Sequence, residues 1–417
     1  MICYIVLAAG KSTRMRSSTP KILFPLLGKP IIQYVLDAIA APKDDIFIVS
    51  NRPYENYSCL RQSEPQGTAH AVFEALKSIP KKYDECIILC GDTPLITQET
   101  LQDVLESKSE ITLTGFLIHD LSQPYGRIIN DGEKIVEYKE ASSKEKMSPY
   151  AYAGVMKIKR SLFEETFPKL QAHPEFYLTE VLSYTNASKE VIWKKEDEFI
   201  GINTKEDLAQ VERLLQKKLI KNLMLKGALF YHPDSSSVYH DTIIEPDAVI
   251  YPHVYIGPNV YIEKEAIIHP FTVLANCRIQ KSAQIGPFAH IKHDTVIDEG
   301  AIIGNFVEIK KSTIGAKSKI KHLSYIGDTL MGQNVNIGAG TITCNYSGFE
   351  KNATQIQNHA FVGSNSTLLA PISIKEHAFV GAGSVLSKDV ESYDLALTRC
   401  ERKDIKNWVK KKEQQPR

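Results

Sequence analysis

An aliphatic residue returns at a fixed interval along the C-terminal half of the chain. From Ile244 to Leu386 the interval is six residues, apart from three contractions to five and one long interruption between Ile337 and Ile356. This period is neither that of a helix nor that of an alternating strand, and it indicates a solenoid. Hexads with one apolar anchor suit short strands and corners, three of which close a triangular coil of about eighteen residues. The pattern therefore predicts a parallel β-helix.

Apolar runs of strand length alternate with helical patterns in the N-terminal half. The predicted strands cover residues 2–10, 46–50, 86–90 and 111–116, and the predicted helices cover residues 31–39, 68–78 and 98–107. This alternation predicts an α/β domain with a mainly parallel sheet. Ligands of such sheets bind at the carboxyl ends of the strands. The loop after Gly10 and the segment 90–92 both lie at such ends.

The same patterns divide the chain of 417 residues into four parts. Residues 1–203 form the predicted α/β domain, and residues 228–390 carry the repeat. Between them, residues 204–227 have an acidic start, a basic end and Leu or Val at helical spacing, which predicts a linker helix. The tail at 391–417 is basic and poorly patterned. Two folded domains are expected, because the chain is too long for one ordinary core.

The composition limits where the protein acts and what it binds. Its 50 basic and 49 acidic side chains give a formal net charge of +1, which argues against nucleic-acid binding and leaves phosphate recognition to local sites. Seven cysteines without paired zinc or redox spacings are typical of reduced thiols in the cytoplasm. The first apolar run has no basic region before it, and no segment is apolar over the length of a membrane span. We therefore expect a soluble cytoplasmic protein.

The loop after the first strand reads LAAGKSTRM and has the composition of a phosphate-binding loop. Gly10 and its small neighbours let backbone N–H groups approach a phosphate, while Lys11, Arg14 and the nearby Lys21 supply positive charge. Residue types alone leave an ordinary strand-to-helix turn with solvated lysines open as the alternative.

Three hexads per coil place side chains in columns along the β-helix. Lys292 and Lys310 are both second in their hexads, so they should stack one coil apart. Two ammonium groups this close repel each other unless an anion lies between them, which predicts a phosphate site. Glu308 and Tyr325 should stack at the corner that leads to these lysines.

A second predicted column lies on the neighbouring face. Third positions of successive hexads place four side chains along one groove, namely His322, Ala339, Ser364 and Ala382. The interruption, about residues 343–355, is predicted to be an excursion beside the lysine corner, and long aperiodic loops in regular solenoids are usually functional. Asn336, which closes the preceding hexad, is expected to reach the same groove.

Motifs in both halves carry a family resemblance. LAAG at 7–10, Pro20-Lys21, GTAHA at 67–71 and GDTPL at 91–95 resemble the Rossmann-like sugar-phosphate nucleotidyltransferases. The repeat, HLSY at 322–325 and NVNIGAGTITCNY at 334–346 resemble the left-handed parallel β-helix of the hexapeptide-repeat acetyltransferases. In this order, the two halves resemble the bacterial bifunctional family that joins N-acetylglucosamine-1-phosphate uridyltransferase to glucosamine-1-phosphate N-acetyltransferase.

For the N-terminal domain the resemblance implies uridylyl transfer from UTP to N-acetylglucosamine 1-phosphate, with release of pyrophosphate. It implies Mg²⁺ held by Asp92 and Asn203, with Arg14 and Lys21 as catalytic residues that neutralise the triphosphate. The implied nucleotide and sugar contacts are Leu7, Ala8, Ala9, Gly10, Gln62, Gly67, Thr68, Gly126, Glu137, Tyr152, Thr179 and Asn203.

For the C-terminal domain the resemblance implies acetyl transfer from acetyl-coenzyme A to glucosamine 1-phosphate, so that the two domains together make UDP-N-acetylglucosamine. His322 is the candidate base for the attacking amine, supported by Glu308. The implied glucosamine-phosphate contacts are Lys292, Lys310, Tyr325, Asn336 and Asn345. The implied acetyl-coenzyme A contacts are Ala339, Tyr346, Ser364, Ala382 and Arg399. Family members are trimers with this site between subunits, so a homotrimer formed through the β-helix is expected.

Four positions depart from the family pattern. Ser12 replaces a second loop glycine, which should stiffen the loop, while Pro65 and Tyr152 replace amide side chains that meet the base and the sugar. Lys292 replaces an arginine, which keeps the charge but loses the two-pronged hydrogen bonding of a guanidinium group. These changes concern efficiency, nucleotide preference and phosphate affinity rather than the type of reaction.

Two other functions remain open from the sequence. In one, the protein is a nucleotidyltransferase only, and the β-helix is a scaffold for trimerisation. Stacked Lys292 and Lys310 and the intact stretches around His322 and Asn345 count against this alternative. In the other, the N-terminal domain is a vestigial binding module, which Ser12, Pro65 and Tyr152 would explain.

Overall fold

The computed structural model of the protein describes residues 1–10, 12–54, 56–62, 66–129, 133–136, 141–172, 176–398 and 401–413. The chain divides into two units, Met1–Leu215 and Gln216–Arg417. The boundary between them falls inside one long helix, Lys205–Leu225, in the region where the sequence predicts a linker helix.

Strands and helices alternate along the first unit. The strands are β1 (Ile2–Leu7), β2 (Pro25–Leu26), β3 (Lys29–Pro30), β4 (Ile46–Val49), β5 (Ser58–Leu60), β6 (Glu85–Cys90), β7 (Ile111–Leu117), β8 (Arg127–Ile129), β9 (Lys134–Val136), β10 (Tyr150–Lys159) and β11 (Lys189–Lys194). The helices are α1 (Ile31–Ala38), α2 (Thr68–Ser78), α3 (Gln98–Glu106), α4 (Ser143–Lys146), α5 (Arg160–Thr166) and α6 (Lys205–Leu225). Short 3-10 helices cover Thr13–Met15, Lys21–Leu23, Lys43–Asp45, Phe167–Ala172, Leu178–Tyr184 and Glu196–Phe199. The three predicted helices are confirmed to within one residue at each end, whereas the first strand ends at Leu7 rather than at Gly10.

The sheet of the first unit is mixed. Its main path runs β11-β7-β10-β6-β1-β4-β5, with β8 and β9 attached through β10. Strand β10 pairs antiparallel with both β6 and β7, while β1 pairs parallel with β4 and β6. The apolar pattern did not reveal β10, because its pairing with β7 shifts register between Tyr152 and Met156 and Gly154 interrupts the run with a positive φ of 84°.

Both faces of this sheet are covered. Alternate residues of each strand enter different apolar clusters: Ile5 and Ile88 pack with α2 and α5, whereas Val6 and Leu89 pack with α1 and α3. Burial on both faces explains why the central strands are continuous apolar runs instead of alternating patterns. Strands β1 and β6 end side by side, with Leu7 opposite Cys90.

Each coil of the second unit contributes short strands to three parallel sheets. The first face contains Leu229–Phe230, Val249–Ile250, Ile267–Ile268, Gln284–Ile285, Ile302–Asn305, Lys319–His322, Asn336–Ile337, Phe361–Val362, Phe379–Val380 and Leu395–Ala396. The second face contains Ser237–Val238, Tyr255–Ile256, Val273–Leu274, His290–Lys292, Glu308–Lys310, Tyr325–Gly327, Ile342–Cys344, Thr367–Leu369 and Val385–Leu386. The third face contains Ile243–Ile244, Val260–Ile262, Cys277–Ile279, Thr295–Ile297, Thr313–Ile314, Thr329–Met331, Thr354–Ile356 and Ile372–Ile374. The predicted β-helix is confirmed.

The hexad anchors form the core of this β-helix. Ile285, Ile303 and Ile320 are fully buried and belong to one continuous apolar cluster. Corners follow the anchors, and many corner residues adopt left-handed backbone geometry, as Phe288 and Phe306 do with φ of 55° and 56°. One anchor and one corner per hexad therefore account for the period of six.

The predicted interruption after Ile337 is shorter than expected. Thr343 lies six residues after Ile337, is fully buried and pairs with Leu368 on the second face, so it is an anchor. Its hydroxyl accepts a hydrogen bond from the Gly327 N–H at 2.8 Å, which is how a polar side chain can occupy an apolar column. Residues 354–356 already form a strand of the third face. The excursion is therefore confined to residues 345–353, where Tyr346 and Lys351 form an isolated bridge.

The chain after the last strand of the first face contains one further helix, α7 (Trp408–Glu413). A single 3-10 turn, Pro233–Ser235, precedes the second strand of the β-helix. Within the ranges that the structure describes, no helix combines the length and the apolar character needed to cross a bilayer.

Candidate active sites

A cavity of about 280 Å³ opens where β1, β4 and β6 end. Its wall includes residues that the resemblance assigns to nucleotide binding, namely Leu7, Ala8, Ala9, Gly10, Gln62, Gly67 and Thr68, together with the catalytic candidate Lys21 and the candidate metal ligand Asp92. Ser12, Val49, Cys90 and Tyr177 complete much of the remaining wall. Segments that are distant in sequence thus meet at the carboxyl edge of the sheet, which is the position predicted for the ligand.

The loop after β1 keeps the backbone shape of a glycine loop despite Ser12. Ser12 has a left-handed conformation with φ of 55° and ψ of 26°, which for a residue with a Cβ costs about 1–2 kcal/mol. Its Oγ accepts a hydrogen bond from the Lys21 N–H at 3.2 Å and donates one to the Gly10 carbonyl at 3.3 Å. Serine therefore ties the two ends of the loop together, as expected for a stiffer loop. Lys11 lies outside the described residues.

The N-terminus of α2 forms another part of the wall. Gly67 precedes it with φ of 112°, and a Cβ added at Gly67 would lie 2.4 Å from the Phe176 carbonyl oxygen. The Leu178 N–H donates to Thr68 Oγ1 at 2.9 Å, so the segment after Phe176 is held against the start of the helix. Gln62 is buried, and its amide donates to the Gly67 carbonyl at 3.4 Å. Helix N-termini favour anions because their N–H groups and dipole point outwards.

Four polar side chains beside this cavity form one hydrogen-bonded cluster. The Lys21 ammonium contacts Asp92 Oδ2 and lies 2.9 Å from Asn203 Oδ1. Arg14 Nη2 also donates to Asn203 Oδ1, at 2.9 Å. The Lys21 and Asp92 side chains are only 15% and 18% exposed, so this ion pair is largely shielded from water.

Two backbone arrangements hold Asp92 and Asn203 in place. The Ile202 N–H donates to the Asp92 carbonyl at 2.9 Å, which joins the end of β6 to the segment before α6. Asp207 accepts from the N–H groups of Asn203 and Thr204, both at 2.8 Å, and so caps α6. Burial, reinforced by nearby carboxylates including Asp92 and Asp207, raises the pKa of Tyr125 to about 12.

The donor set at Asp92 and Asn203 fits a hard divalent cation. A carboxylate and an amide oxygen already converge on one positive group, the Lys21 ammonium, and Mg²⁺ commonly takes one or two protein oxygens while it keeps several waters. Within the described ranges there is no cluster of three or more His, Cys, Asp or Glu side chains that could hold a metal. A metal held by two protein oxygens and its substrate is the arrangement that these residues suit.

The residues assigned to the sugar lie in two places. The Tyr152 N–H donates to the Gly126 carbonyl at 2.9 Å, so these two residues are adjacent. Thr179 is buried and directly follows Leu178, whose N–H is bonded to Thr68. Glu137 and Pro65 lie outside the described residues.

On the β-helix, the predicted lysine column is confirmed in the backbone register. Lys292 pairs with Lys310, and Lys310 pairs with Gly327 in the next coil. Lys292 Nζ lies 2.9 Å from Glu308 Oε1, so a carboxylate already neutralises one of the two ammonium groups. The repulsion between the lysines that the sequence argument relied on is therefore partly relieved within the protein. The phosphate site at this column stays a prediction.

Gly327 follows Lys310 in the lysine column, and two polar side chains lie close to the position that a Cβ of Gly327 would take. A Cβ built on Gly327 would lie 2.6 Å from Tyr325 Oη and 2.8 Å from Asn345 Nδ2. The Asn345 amide donates to Asp328, which orients its carbonyl oxygen away from that carboxylate. Tyr325 and Asn345 thus meet over Gly327, one coil above Lys310. Sequence reasoning missed Gly327 and Asp328.

The predicted histidine column is also confirmed. Ile320, Ile337, Val362 and Val380 pair in successive coils of the first face, which places His322, Ala339, Ser364 and Ala382 at equivalent positions two residues later. His322 is exposed, and its Nδ1 lies 2.8 Å from Asn305 Oδ1. Glu308 lies on the second face, where its carboxylate is bonded to Lys292 at 2.9 Å, and its support of His322 stays a prediction. Asn305 is the side chain that contacts the imidazole ring. It is third in its hexad, as His322 is, so the repeat register could have predicted that the two residues are neighbours.

The remaining predicted residues are more dispersed. Asn336 pairs with Lys319 and Phe361, at the start of the first face, and within one chain it lies about 10 Å along the strand from the histidine column. Tyr346 is exposed at the base of the excursion, and its hydroxyl donates to the Gly348 carbonyl at 2.7 Å. Arg399 lies outside the described residues.

Comparisons with known proteins match both units. A family model for the MobA-like NTP transferase domain matches residues 4–114, one for the bacterial transferase hexapeptide (six repeats) matches residues 241–276, and one for the GMPPB C-terminal domain matches residues 274–352. Similar full-length proteins carry the name bifunctional protein GlmU. The protein from Thermodesulfovibrio yellowstonii is 39% identical in an alignment that covers 99% of each chain. That from Brucella anthropi is 42% identical over 95% of this chain and 92% of its own, and that from Desulfitobacterium hafniense is 35% identical over 98% of each.

Proposed function

The chain belongs to the bifunctional GlmU family, and we propose that it makes UDP-N-acetylglucosamine in two steps at two separate sites. The first step transfers an acetyl group from acetyl-coenzyme A to glucosamine 1-phosphate on the β-helix. The second transfers uridylyl from UTP to the resulting N-acetylglucosamine 1-phosphate in the N-terminal unit. The observation that carries this proposal is that one chain contains two sets of candidate residues. A cavity with Lys21, Arg14, Asp92 and Asn203 beside it lies in the first unit, and a histidine column and a column of paired lysines lie on two faces of the β-helix.

In uridylyl transfer, a phosphate oxygen of the sugar attacks the α-phosphorus of UTP and pyrophosphate leaves. The protein contributes positioning and charge neutralisation rather than covalent chemistry. The loop Leu7–Gly10 and the N-terminus of α2 offer backbone N–H groups to the nucleotide. Arg14 and Lys21 are the cationic side chains beside the cavity that would neutralise the phosphates.

Asp92 and Asn203 would hold Mg²⁺, which would add positive charge at the triphosphate. Lys21 contacts both oxygens. Its release from them would free the ammonium for the phosphates that it is proposed to bind. The same side chain would therefore occupy two positions during the reaction cycle.

In acetyl transfer, the glucosamine amine attacks the thioester carbonyl. A C–N bond forms, the C–S bond breaks, and the amine proton passes to His322 and then to the leaving sulfur of coenzyme A. Lys292 and Lys310 would bind the sugar phosphate, with Tyr325 and Asn345 over the adjoining Gly327. The small residues Ala339, Ser364 and Ala382 continue the His322 column and would line the acetyl-coenzyme A.

A homotrimer formed through the β-helix fits the placement of these groups. The histidine column lies at the end of the first face, and the lysine column lies on the second face. Within one chain, the corner at Leu323 therefore separates the two columns. That corner is apolar and exposed: Phe271, Phe288 and Phe306 stack at 4.9 and 5.1 Å, with each ring about half exposed. A second copy of the chain packed against this corner would cover the three rings and would place one of its own faces opposite His322.

Two substitutions in the full-length protein test the division of labour. His322→Ala is expected to abolish acetyl transfer, measured as coenzyme A release, and to leave pyrophosphate release from UTP and N-acetylglucosamine 1-phosphate unchanged. Asp92→Ala is expected to do the reverse. Each variant serves as the folding control of the other, because one activity of the same chain persists. Loss of both activities in both variants, with the oligomer intact, would contradict separate sites.

A further inference from the structure

The contact to the candidate base suggests how its ring is held. His322 Nδ1 lies 2.8 Å from Asn305 Oδ1. The two residues are register partners on adjacent strands of the first face, and the Leu323 N–H donates to the Asn305 carbonyl at 3.0 Å. Regular β pairing therefore fixes both backbones. The contact depends on strand geometry rather than on a mobile loop.

The chemistry of the amide oxygen decides which nitrogen of the ring carries the proton. A carbonyl oxygen can only accept, so Nδ1 must be the N–H that donates to it. In a neutral imidazole the other nitrogen, Nε2, then has a free electron pair. The observed contact thus selects the tautomer in which Nε2 can act as a base.

The residues of the histidine column explain why the imidazole ring of His322 is held from one side only. In successive coils this column contains Pro287, Asn305, His322, Ala339, Ser364 and Ala382. The coil before His322 supplies a hydrogen-bond acceptor, and the coils after it supply only small side chains. One side of the ring is anchored, and the other side has room for the acyl donor.

Few charged side chains lie on the strands around His322. The strands on either side of His322, Ile302–Asn305 and Asn336–Ile337, contain no titratable side chain, and its own strand adds only Lys319 and Lys321. Across the corner, the Glu308 carboxylate is bonded to Lys292 at 2.9 Å. Asn305 is therefore the polar neighbour that can orient the ring.

We propose that Asn305 is a positioning residue of the acetyltransferase site, which holds His322 with Nδ1 protonated and Nε2 free to take the proton of the attacking amine. The proposal rests on the proposed acetyl transfer. Asn305 itself exchanges no proton: the amine proton moves to Nε2 and then to the coenzyme A sulfur. A residue that orients a catalytic histidine in this way typically contributes about 10–100-fold.

Three variants of the full-length protein test this role. Asn305→Ala removes the acceptor, and kcat for acetyl transfer is expected to fall about 10–100-fold while KM for both substrates changes little. Asn305→Asp keeps an acceptor oxygen but adds a negative charge that stabilises the imidazolium, so the acid limb of its kcat/KM profile is expected to move to higher pH. The matched control is Asn276→Asp. Asn276 Oδ1 accepts from Asn259 Nδ2 at 2.9 Å in an earlier coil, so this change adds the same charge away from His322.

The other active site of the chain reports on folding, because uridylyl transfer should be unchanged in all three variants. A wild-type kcat in Asn305→Ala would overturn the proposal, as would a pH profile of Asn305→Asp that coincides with that of Asn276→Asp. If His322→Ala loses acetyl transfer while both Asn305 variants behave as wild type, only the positioning role fails. Absence of acetyl transfer in the wild-type protein would overturn the proposed function and the positioning role together.

Discussion

Replacing Lys21 by methionine should strengthen metal binding in the free protein while it damages catalysis. The Lys21 ammonium contacts Asp92 Oδ2 and lies 2.9 Å from Asn203 Oδ1, the two oxygens proposed as metal ligands. Asn203 Oδ1 also accepts from Arg14, so both lone pairs of this oxygen are engaged. A divalent cation that binds Asp92 Oδ2 and Asn203 Oδ1 must therefore displace Lys21, so the two positive groups compete for these oxygens.

The size of the effect follows from the contacts that metal binding must break. Hydrogen bonds to charged groups contribute about 1.5–3 kcal/mol each, and the low exposure of Lys21 and Asp92, 15% and 18%, limits screening by water. Since about 1.4 kcal/mol corresponds to a factor of ten, one such hydrogen bond already accounts for about 10–100-fold, so loss of this competition should tighten binding at least tenfold. The assay is titration of nucleotide-free protein with Mn²⁺, with free Mn²⁺ measured by electron paramagnetic resonance.

Lys29→Met is the matched control for this experiment. Lys29 forms a similar half-shielded ion pair with Asp37 in the same unit, and the Asp92 cavity does not include it. Lys29→Met should leave Mn²⁺ binding unchanged, and Asp92→Asn should weaken it. If Lys21→Met binds Mn²⁺ no more tightly than the wild type, the metal does not compete with Lys21 for these oxygens.

Two substitutions test the geometry around Gly327. Gly327→Ala places a methyl group within 3 Å of Tyr325 Oη and Asn345 Nδ2, so KM for glucosamine 1-phosphate should rise at least tenfold in steady-state assays. An unchanged KM in Gly327→Ala would separate these side chains from substrate binding. Thr343→Val keeps the anchor shape but leaves the Gly327 N–H without its acceptor, so denaturant unfolding should show a loss of about 1–3 kcal/mol, and no loss would mean that the hydroxyl is not needed there.

The columns of the β-helix could be predicted from the sequence because a fixed period determines the register. Lys292 over Lys310, and Ala339 after His322, follow from counting hexads, and both are observed. Register places backbones but not side-chain ends, so it predicted Glu308 next to Tyr325 but not the ion pair between Glu308 and Lys292.

Other features depend on contacts that no local pattern contains. Thr343 is not aliphatic and so falls outside the apolar repeat, although a buried hydroxyl whose hydrogen bonds are satisfied fits the anchor column. In the first unit, the contacts of Lys21 with Asp92 and Asn203 join residues up to 182 positions apart. The motifs suggested a role for each residue, but they did not indicate that Lys21 would contact both candidate metal ligands. The antiparallel strand β10 was missed because Gly154 breaks its apolar pattern.

In the proposed function one chain performs two successive reactions at independent sites, and mixing two inactive variants tests this independence. Purified Asp92→Ala and His322→Ala proteins, each supplied with glucosamine 1-phosphate, acetyl-coenzyme A, UTP and Mg²⁺, should form no UDP-N-acetylglucosamine alone. When they are mixed, the Asp92→Ala protein should supply N-acetylglucosamine 1-phosphate to the His322→Ala protein, and mass spectrometry should detect UDP-N-acetylglucosamine. A mixture that forms no product, or either variant forming it alone, would contradict the account.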